Sequence, residues 1–329
     1  MRGHALLLGV VVGATVLTLT ACGPKGSQTS DPSSGEAASG KPRPHASGDV
    51  RAKMQGIAFR IDPEVVLEVR RLEGALEPVR EGKPPWFDDP ASFRLRIDQG
   101  EVAMSAASLG AMMNHYLFAG PKAPVKDVVV EIRDGHLIQT STLNKKIPIR
   151  ATLEGEVSVT PDGDLRFHPV KIKAGDLPVK KLLDLFDIEL SEMIKPQESR
   201  GMRIEKDDLI LDPERLLPPP RMKGRVVAVR IEGDRLVQVF GGGKKPAALS
   251  PSLPKAKNYM YFRGGALSFG RLTMANSDLQ IVDADPKDPF DFYLAQFSKQ
   301  LTAGYSKTMS DQGLVSFMPD SGETGKELP

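Results

Sequence analysis

Cysteine is almost absent: Cys22 is the single one in 329 residues. No intrachain disulfide can form, so stability must come from a buried core, which a chain of this length can supply. Charge of either sign is not in excess, with 44 Lys+Arg against 42 Asp+Glu and a net of +2. That balance gives no sign of a nucleic-acid partner and no solvating acidic tail. Aromatic residues make up 6% of the chain, and Trp86 is the sole tryptophan. Histidines number five and are scattered, with no His-Glu-x-x-His and no cysteine cluster, so a zinc centre is not expected. Ser268 lies in Gly265-Ala266-Leu267-Ser268-Phe269-Gly270, which is not a Gly-x-Ser-x-Gly nucleophile elbow. Neither Gly264-Gly265 nor Gly241-Gly242-Gly243 is followed by Gly-Lys-Ser/Thr, so no phosphate loop is present. These gaps predict a protein that is not an enzyme and needs no cofactor.

What is present begins at the N-terminus. Arg2 supplies a positive charge, and Ala5 to Thr20 carries no charged side chain. The run is shorter than the ~20 residues of a spanning helix and fits a cleaved secretory signal. Its ending, Leu19-Thr20-Ala21-Cys22, resembles the lipobox of bacterial lipoproteins. The resemblance implies cleavage before Cys22 and acylation of that cysteine by diacylglycerol and palmitate-type chains. It accounts for a lone thiol in an exported chain. Loss of Arg2 with the signal leaves 43 Lys+Arg against 42 Asp+Glu, a net of +1. Gly23 stands where inner-membrane retention uses Asp, which favours the outer membrane and a body facing the periplasm.

Residues 22–49 are polar and low in complexity, a composition that cannot repay ordering entropy, and are expected to be a tether. At about 27 residues its r.m.s. reach is ~30 Å. Residues 50–240 are expected to form a β-rich main domain, 241–257 a Gly/Pro/Lys linker, 258–320 a C-terminal α/β unit and 321–329 a frayed tail. Ile57, Phe59 and Ile61 alternate as in a half-buried strand, as do Phe93, Leu95 and Ile97. Val65 to Leu76 fits strand or helix and is taken as strand beside its neighbours. Asp134-Gly135 and Pro161-Asp162-Gly163-Asp164 predict hairpin turns. Ser105 is a candidate N-cap for a helix whose stripe is Leu109, Met112, Met113, Tyr116 and Leu117, with Gly120 beyond its end. A second helix is predicted from Asp176, with Val179, Leu182, Leu183, Phe186, Leu190 and Ile194 on its stripe. A third is expected after Asp288-Pro289, with Phe290, Leu294, Phe297 and Leu301 on one side. The fold class expected is α+β: a curved antiparallel meander packed on two amphipathic helices, with a small C-terminal hairpin/helix unit.

Other features invite a plainer reading. Val130-Glu131-Ile132-Arg133-Asp134-Gly135-His136-Leu137-Ile138-Gln139 echoes Val229-Arg230-Ile231-Glu232-Gly233-Asp234-Arg235-Leu236-Val237-Gln238, which reads as repeated strand-turn-strand architecture and not as ancestry. His115 is taken as a satisfied rim histidine and His168 as solvated on a sheet face. Asp283, Asp285, Asp288 and Asp291 could offer calcium oxygens, but the run lacks the glycine and terminal glutamate of an EF-hand loop, and helix capping is preferred. Trp86, in Pro84-Pro85-Trp86-Phe87, could enter a membrane interface; the commoner fate is to pin its loop to the core.

From Phe93 to about Phe240 the order of elements resembles the phospholipid-binding envelope family (LmeA-like) and, more distantly, the tubular lipid-binding domains. The resemblance rests on Leu109 to Leu117, Asp134-Gly135, Asp162-Gly163 and Val179 to Phe186. It implies a curved sheet wrapped on a helix around lipid tails. The residues after 257 lie outside it and look like part of an uncharacterised bacterial lipoprotein family. The expected function is a membrane-anchored envelope lipoprotein binding or shuttling phospholipid in an apolar groove. The groove candidates are Leu109, Met112, Met113, Tyr116, Leu117, Val179, Leu182, Leu183 and Phe186. The alternative is a scaffold for envelope assembly with no small ligand.

Overall fold

Strand follows strand along most of the body. The computed structural model describes residues 48–144, 148–175, 177–178, 200–243, 247–309 and 313–325. The chain opens with three long antiparallel strands, β1 (Val50–Arg60), β2 (Val66–Pro78) and β3 (Phe93–Ser105). A helix follows, α1 (Ala106–Met112), continuing as one π turn over Met113–Leu117. Next come β4 (Val125–Arg133), β5 (His136–Leu143), β6 (Ile149–Val159), β7 (Leu165–Ala174), the two-residue β8 (Leu177–Pro178), β9 (Met202–Glu205) and β10 (Asp208–Leu211). These seven form one antiparallel sheet in the order β4-β5-β6-β7-β10-β9, with β8 beside β7.

The remaining strands return to the first three. They are β11 (Arg221–Lys223), β12 (Val226–Glu232), β13 (Arg235–Phe240), β14 (Tyr259–Gly264), β17 (Ser277–Asp283), β18 (Phe290–Tyr293), β19 (Tyr305–Thr308) and β20 (Leu314–Met318). A small hairpin, β15 (Leu267–Phe269) and β16 (Leu272–Met274), stands apart. The resulting 11-stranded sheet runs β12-β13-β3-β2-β1-β14-β17-β20-β19, with β11 parallel to β3 and β18 parallel to β1. The seven-stranded sheet is therefore an insertion between β3 and β11.

The expected α+β class is wrong: the fold is mostly β, with only short helices among the described residues. Ser105 does cap α1, its Oγ accepting from Ser108 N at 3.1 Å. That helix spans little more than three turns and packs on β4 and β3. The second predicted helix, with Val179, Leu182, Leu183 and Phe186, lies outside the described residues, as does Cys22. The third begins later than expected: its first residues, Phe290–Tyr293, are strand. Phe290 and Phe292 are both fully buried in β18, in parallel register with Ile57 and Phe59. A 3-10 turn over Leu294–Gln296 leads into the helix Phe297–Ala303 (α3), and these carry Leu294, Phe297 and Leu301 of the expected stripe. The spacing 290, 294, 297, 301 suits a helix, but a free sheet edge beside β1 offers Phe290 and Phe292 deeper burial. The small C-terminal unit also fails: β14 pairs with β1 from Arg51↔Arg263 to Gln55↔Tyr259, so these residues complete the large sheet.

Local rules held where geometry is local. Asp134 and Gly135 both have positive φ (53° and 77°), as a two-residue hairpin turn matched to strand twist requires. In β5 alternate residues from Leu137 to Leu143 are buried.

The Pro84–Phe87 loop divides its two aromatic residues. Phe87 is 3% exposed and is ringed by Phe93, Phe262, Phe269, Phe292 and Phe297, whereas Trp86 is 43% exposed. The loop is pinned by Phe87. Backbone bonds add to this: Ser268 N donates to Pro85 O (2.8 Å) and Phe87 N to Ser268 O (3.1 Å).

Candidate functional site

The faces of the two sheets that look toward each other are apolar, and at one end they do not close. The cavity there is lined from the large sheet by Leu67, Val102, Met104, Met222, Leu236, Gln238 and Phe240. From the smaller sheet come Val130, Leu137, Gln139, Val157, Leu165, Phe167, Leu209 and Leu211. Leu109, Met112 and Met113 of the helix, and Pro213, Leu216 and Leu217 at the short helix α2 (Pro213–Leu216), complete the described lining. The void is about 980 Å³ including its open mouth, of which about 70 Å³ admits the centres of water-sized molecules. One water needs ~10–15 Å³ on that measure, and an engineered apolar cavity of ~150 Å³ holds benzene. The site in this state is thus a narrow cleft. Four methionines line it, and these unbranched side chains can move aside for an apolar guest at low cost.

The helix is positioned by polar clasps. Asn114 holds β4 through both amide atoms: Nδ2 donates to Val128 O (2.8 Å) and Oδ1 accepts from Val128 N (2.9 Å). At the helix end, Arg200 Nη1 donates to the carbonyls of Tyr116, Leu117 and Ala119 at 2.9–3.0 Å, satisfying groups a helix terminus leaves unpaired. Asp62, in the β1–β2 turn, accepts from Tyr116 Oη (2.6 Å) and pairs with His115 Nδ1 (2.9 Å), while His115 Nε2 meets Glu64 at 3.1 Å. Burial opposes ionisation of Asp62, but the hydrogen bonds from Tyr116, His115 and the backbone of Glu64 and Val65 outweigh it and hold its pKa at about 2. Burial first, and then the Asp62 carboxylate, push the Tyr116 phenol well above its usual range. His115 is consequently a rim residue of a structural clasp with no nucleophile beside it.

Of the nine groove candidates, Leu109, Met112 and Met113 line the cavity. Tyr116 faces Asp62, and Leu117 is fully buried in the core. The stripe divides within the π turn, after Met113. His168 is exposed on β7 and pairs with Asp208 at 2.6 Å. Three of the four calcium candidates have other partners for their carboxylates. Asp283 accepts from Asn258 Nδ2 and Asp285 N, each at 2.8 Å. Asp285 also pairs with Lys287 at 2.8 Å, and the Asp288 carbonyl accepts from Asn258. Asp291 is held by Arg60 (3.0 and 3.1 Å) and Ser321 (2.8 Å). No group of three or more metal-ligating side chains occurs among the described residues. The run's physical role is to seat β18 and the chain's last turn.

Asp320 belongs to the same cluster. Half-burial pushes its pKa up to about 6, and repulsion from Asp283, Asp288 and Asp291 adds to that against the bond it accepts from Asp291 N (2.7 Å). A carboxyl raised from 3.8 to about 6 favours the fold when protonated. Its contribution is complete below pH 3.8 and is lost as pH rises through 6. Thermal scans should therefore show a gain on going from pH 7.5 to 5.5. Asp320→Asn should flatten that slope and raise stability at pH 7.5, on the order of 1 kcal/mol after solvent screening. An unchanged slope would assign the dependence to other groups.

Sequence reasoning missed every lining residue that the strands and α2 contribute. Strand patterns were legible, but nothing local marked these residues as sharing one cavity. No family model, curated protein or solved structure matches the chain.

Proposed function

We propose that this chain is an envelope lipoprotein, anchored through acylated Cys22, whose body binds or shuttles lipid in the intersheet cavity. The observation that carries the reading is an open cleft lined by aliphatic, methionine and phenylalanine side chains and two glutamines, with no charged residue among its described lining. Such a surface is costly to leave facing water and suits an alkyl chain. The test is native mass spectrometry of the full chain beside lipid extraction. Stoichiometric co-purifying lipid is the expected result, and Val157→Phe, which fills the cleft from β6, should lower occupancy at least about tenfold, or ~1.4 kcal/mol. A lipid-free protein that takes up no added lipid would move the reading to an assembly scaffold.

Features of the fold support one orientation of the anchored body. Val50 pairs with Leu76, so residues 48–49 lie where β2 ends, and β2 leads directly to exposed Val79. Gly265, at φ +55°, sits against Gly48: a Cβ there would fall 2.5 Å from the Gly48 carbonyl oxygen. Two residues later begins the β15–β16 hairpin, which bears exposed Leu272 and bridges to Trp86. Three exposed large apolar side chains thus share the end at which the chain from Cys22 joins the body. Arg80, Lys83 and Arg271 stand exposed beside them, as do Glu81, Asp88 and Asp89. We propose that this end faces the bilayer, where Trp is favoured at the headgroup level. The cavity runs along β3, from the level of Met222, opposite Leu95, to Met104. Trp86, the sole tryptophan, reports the orientation: on vesicles with 25% phosphatidylglycerol its emission should shift to the blue and be quenched about twofold by brominated acyl chains. Unchanged emission from protein that floats with the vesicles would overturn the orientation and leave the anchor standing. Among the described residues no helix is long and apolar enough to cross a membrane.

A further inference from the structure

The ten-residue echo between Val130–Gln139 and Val229–Gln238 acquires a meaning in three dimensions. The first copy is the β4–β5 hairpin of the smaller sheet, the second the β12–β13 hairpin at the end of the large one. Their registers coincide: Val130 lies opposite Gln139, and Val229 opposite Gln238. Leu137 and Gln139 from one copy, and Leu236 and Gln238 from the other, all line the intersheet cavity. Gln139 is 4% exposed and Gln238 8%. Neither side-chain amide makes a hydrogen bond among the described residues. Ser141 Oγ, next on the same face of β5, is fully buried without a partner.

The glutamine amides are not sealed off: they keep contact with the open cleft. A polar group that an apolar guest covers and leaves unpaired costs ~1–3 kcal/mol, so two amides at matching positions of the two hairpins, in one apolar void, point to a guest that carries a hydrogen-bonding group. Each offers a carbonyl acceptor and two N–H donors. No Lys, Arg or His is in the described lining, so an ionised phosphate would lose its hydration there without a counter-charge. We infer that the two glutamines bind the uncharged hydrogen-bonding head of a single-chain amphiphile, a hydroxyl or acyl-ester group, with its alkyl chain among the leucines and methionines. This inference rests on the reading of the cavity as a lipid site and specifies the head group that site selects.

Three probes with one oleoyl-length chain separate the possibilities: a monoacylglycerol, the corresponding lysophosphatidate and an unfunctionalised alkene. Each is titrated into delipidated full-length protein, with native mass spectrometry as readout. The monoacylglycerol should bind at least about tenfold tighter than either of the others. The double variant Gln139→Leu/Gln238→Leu should lose that preference and keep the alkene. Because leucine removes two unpaired amides at similar volume, the apo variant should also melt higher than the parent. Equal binding of all three probes, unchanged in the variant, would overturn the head-group assignment and leave the lipid site intact. A preference for the phosphate would overturn it as well. If no probe binds, both the assignment and the lipid reading fall. A variant that melts lower would show the amides to be paired within the protein, which also overturns the assignment.

Discussion

Phe87→Ala should destabilise the protein by about 3–5 kcal/mol, the range for emptying a fully buried aromatic site. The ring lies 5.1–5.9 Å from those of Phe93, Phe262, Phe269 and Phe297 and 6.4 Å from Phe292. Four of these contacts are edge-to-face, an arrangement worth ~0.5–1.5 kcal/mol per pair beyond area burial. Phe87 joins residues more than 200 positions apart, from β3, β14, β15, β18 and α3. Each is held by the others, so the cavity left behind cannot collapse around one flexible neighbour. Urea unfolding should show the midpoint fall with little change in slope. Trp86→Ala, one residue away but exposed, should cost under ~1 kcal/mol. Equal losses for the two variants would show that the loop, and not the ring, carries the effect.

Gly74→Ala should cost as much, for a backbone reason. The β2–β3 ladder shifts register between Glu73 and Gly74, and at this bulge the strands approach closely. A Cβ on Gly74 would fall 1.8 Å from the Arg96 carbonyl oxygen and 2.9 Å from its carbon. Neither is the end of a movable side chain, so the two central strands must separate. Overpacking of this kind costs typically 1–3 kcal/mol and more when backbone has to yield. We expect at least ~3 kcal/mol here, because β2 and β3 also carry Leu67, Val102 and Met104 of the cavity. Gly82→Ala, with no atom within 4 Å of its Cβ but a positive φ of 71°, is the comparison for strain alone and should cost ~1 kcal/mol. A similar small loss at Gly74 would mean that the bulge tolerates a side chain.

The strands, the hairpin turns and the cap of α1 were written in the sequence because each depends on neighbours a few residues away. Asp134-Gly135 sets its own turn, Ser105 reaches Ser108 N, and β5 alternates because a strand has two faces. Part of the cavity was legible too, in Leu109, Met112 and Met113, since an apolar helical stripe must be covered by something. The tertiary structure alone decided the rest. Phe290 and Phe292 became strand because β1 offered them a parallel edge, and β14 closed on β1 across some two hundred residues. Periodicity reports that a side chain is buried, but it carries no information about which distant surface buries it. For the same reason the two echoing hairpins looked like bare architecture. Only the packing of one sheet over the other brought Gln139 and Gln238 to a single void, where the absence of partners became a chemical fact.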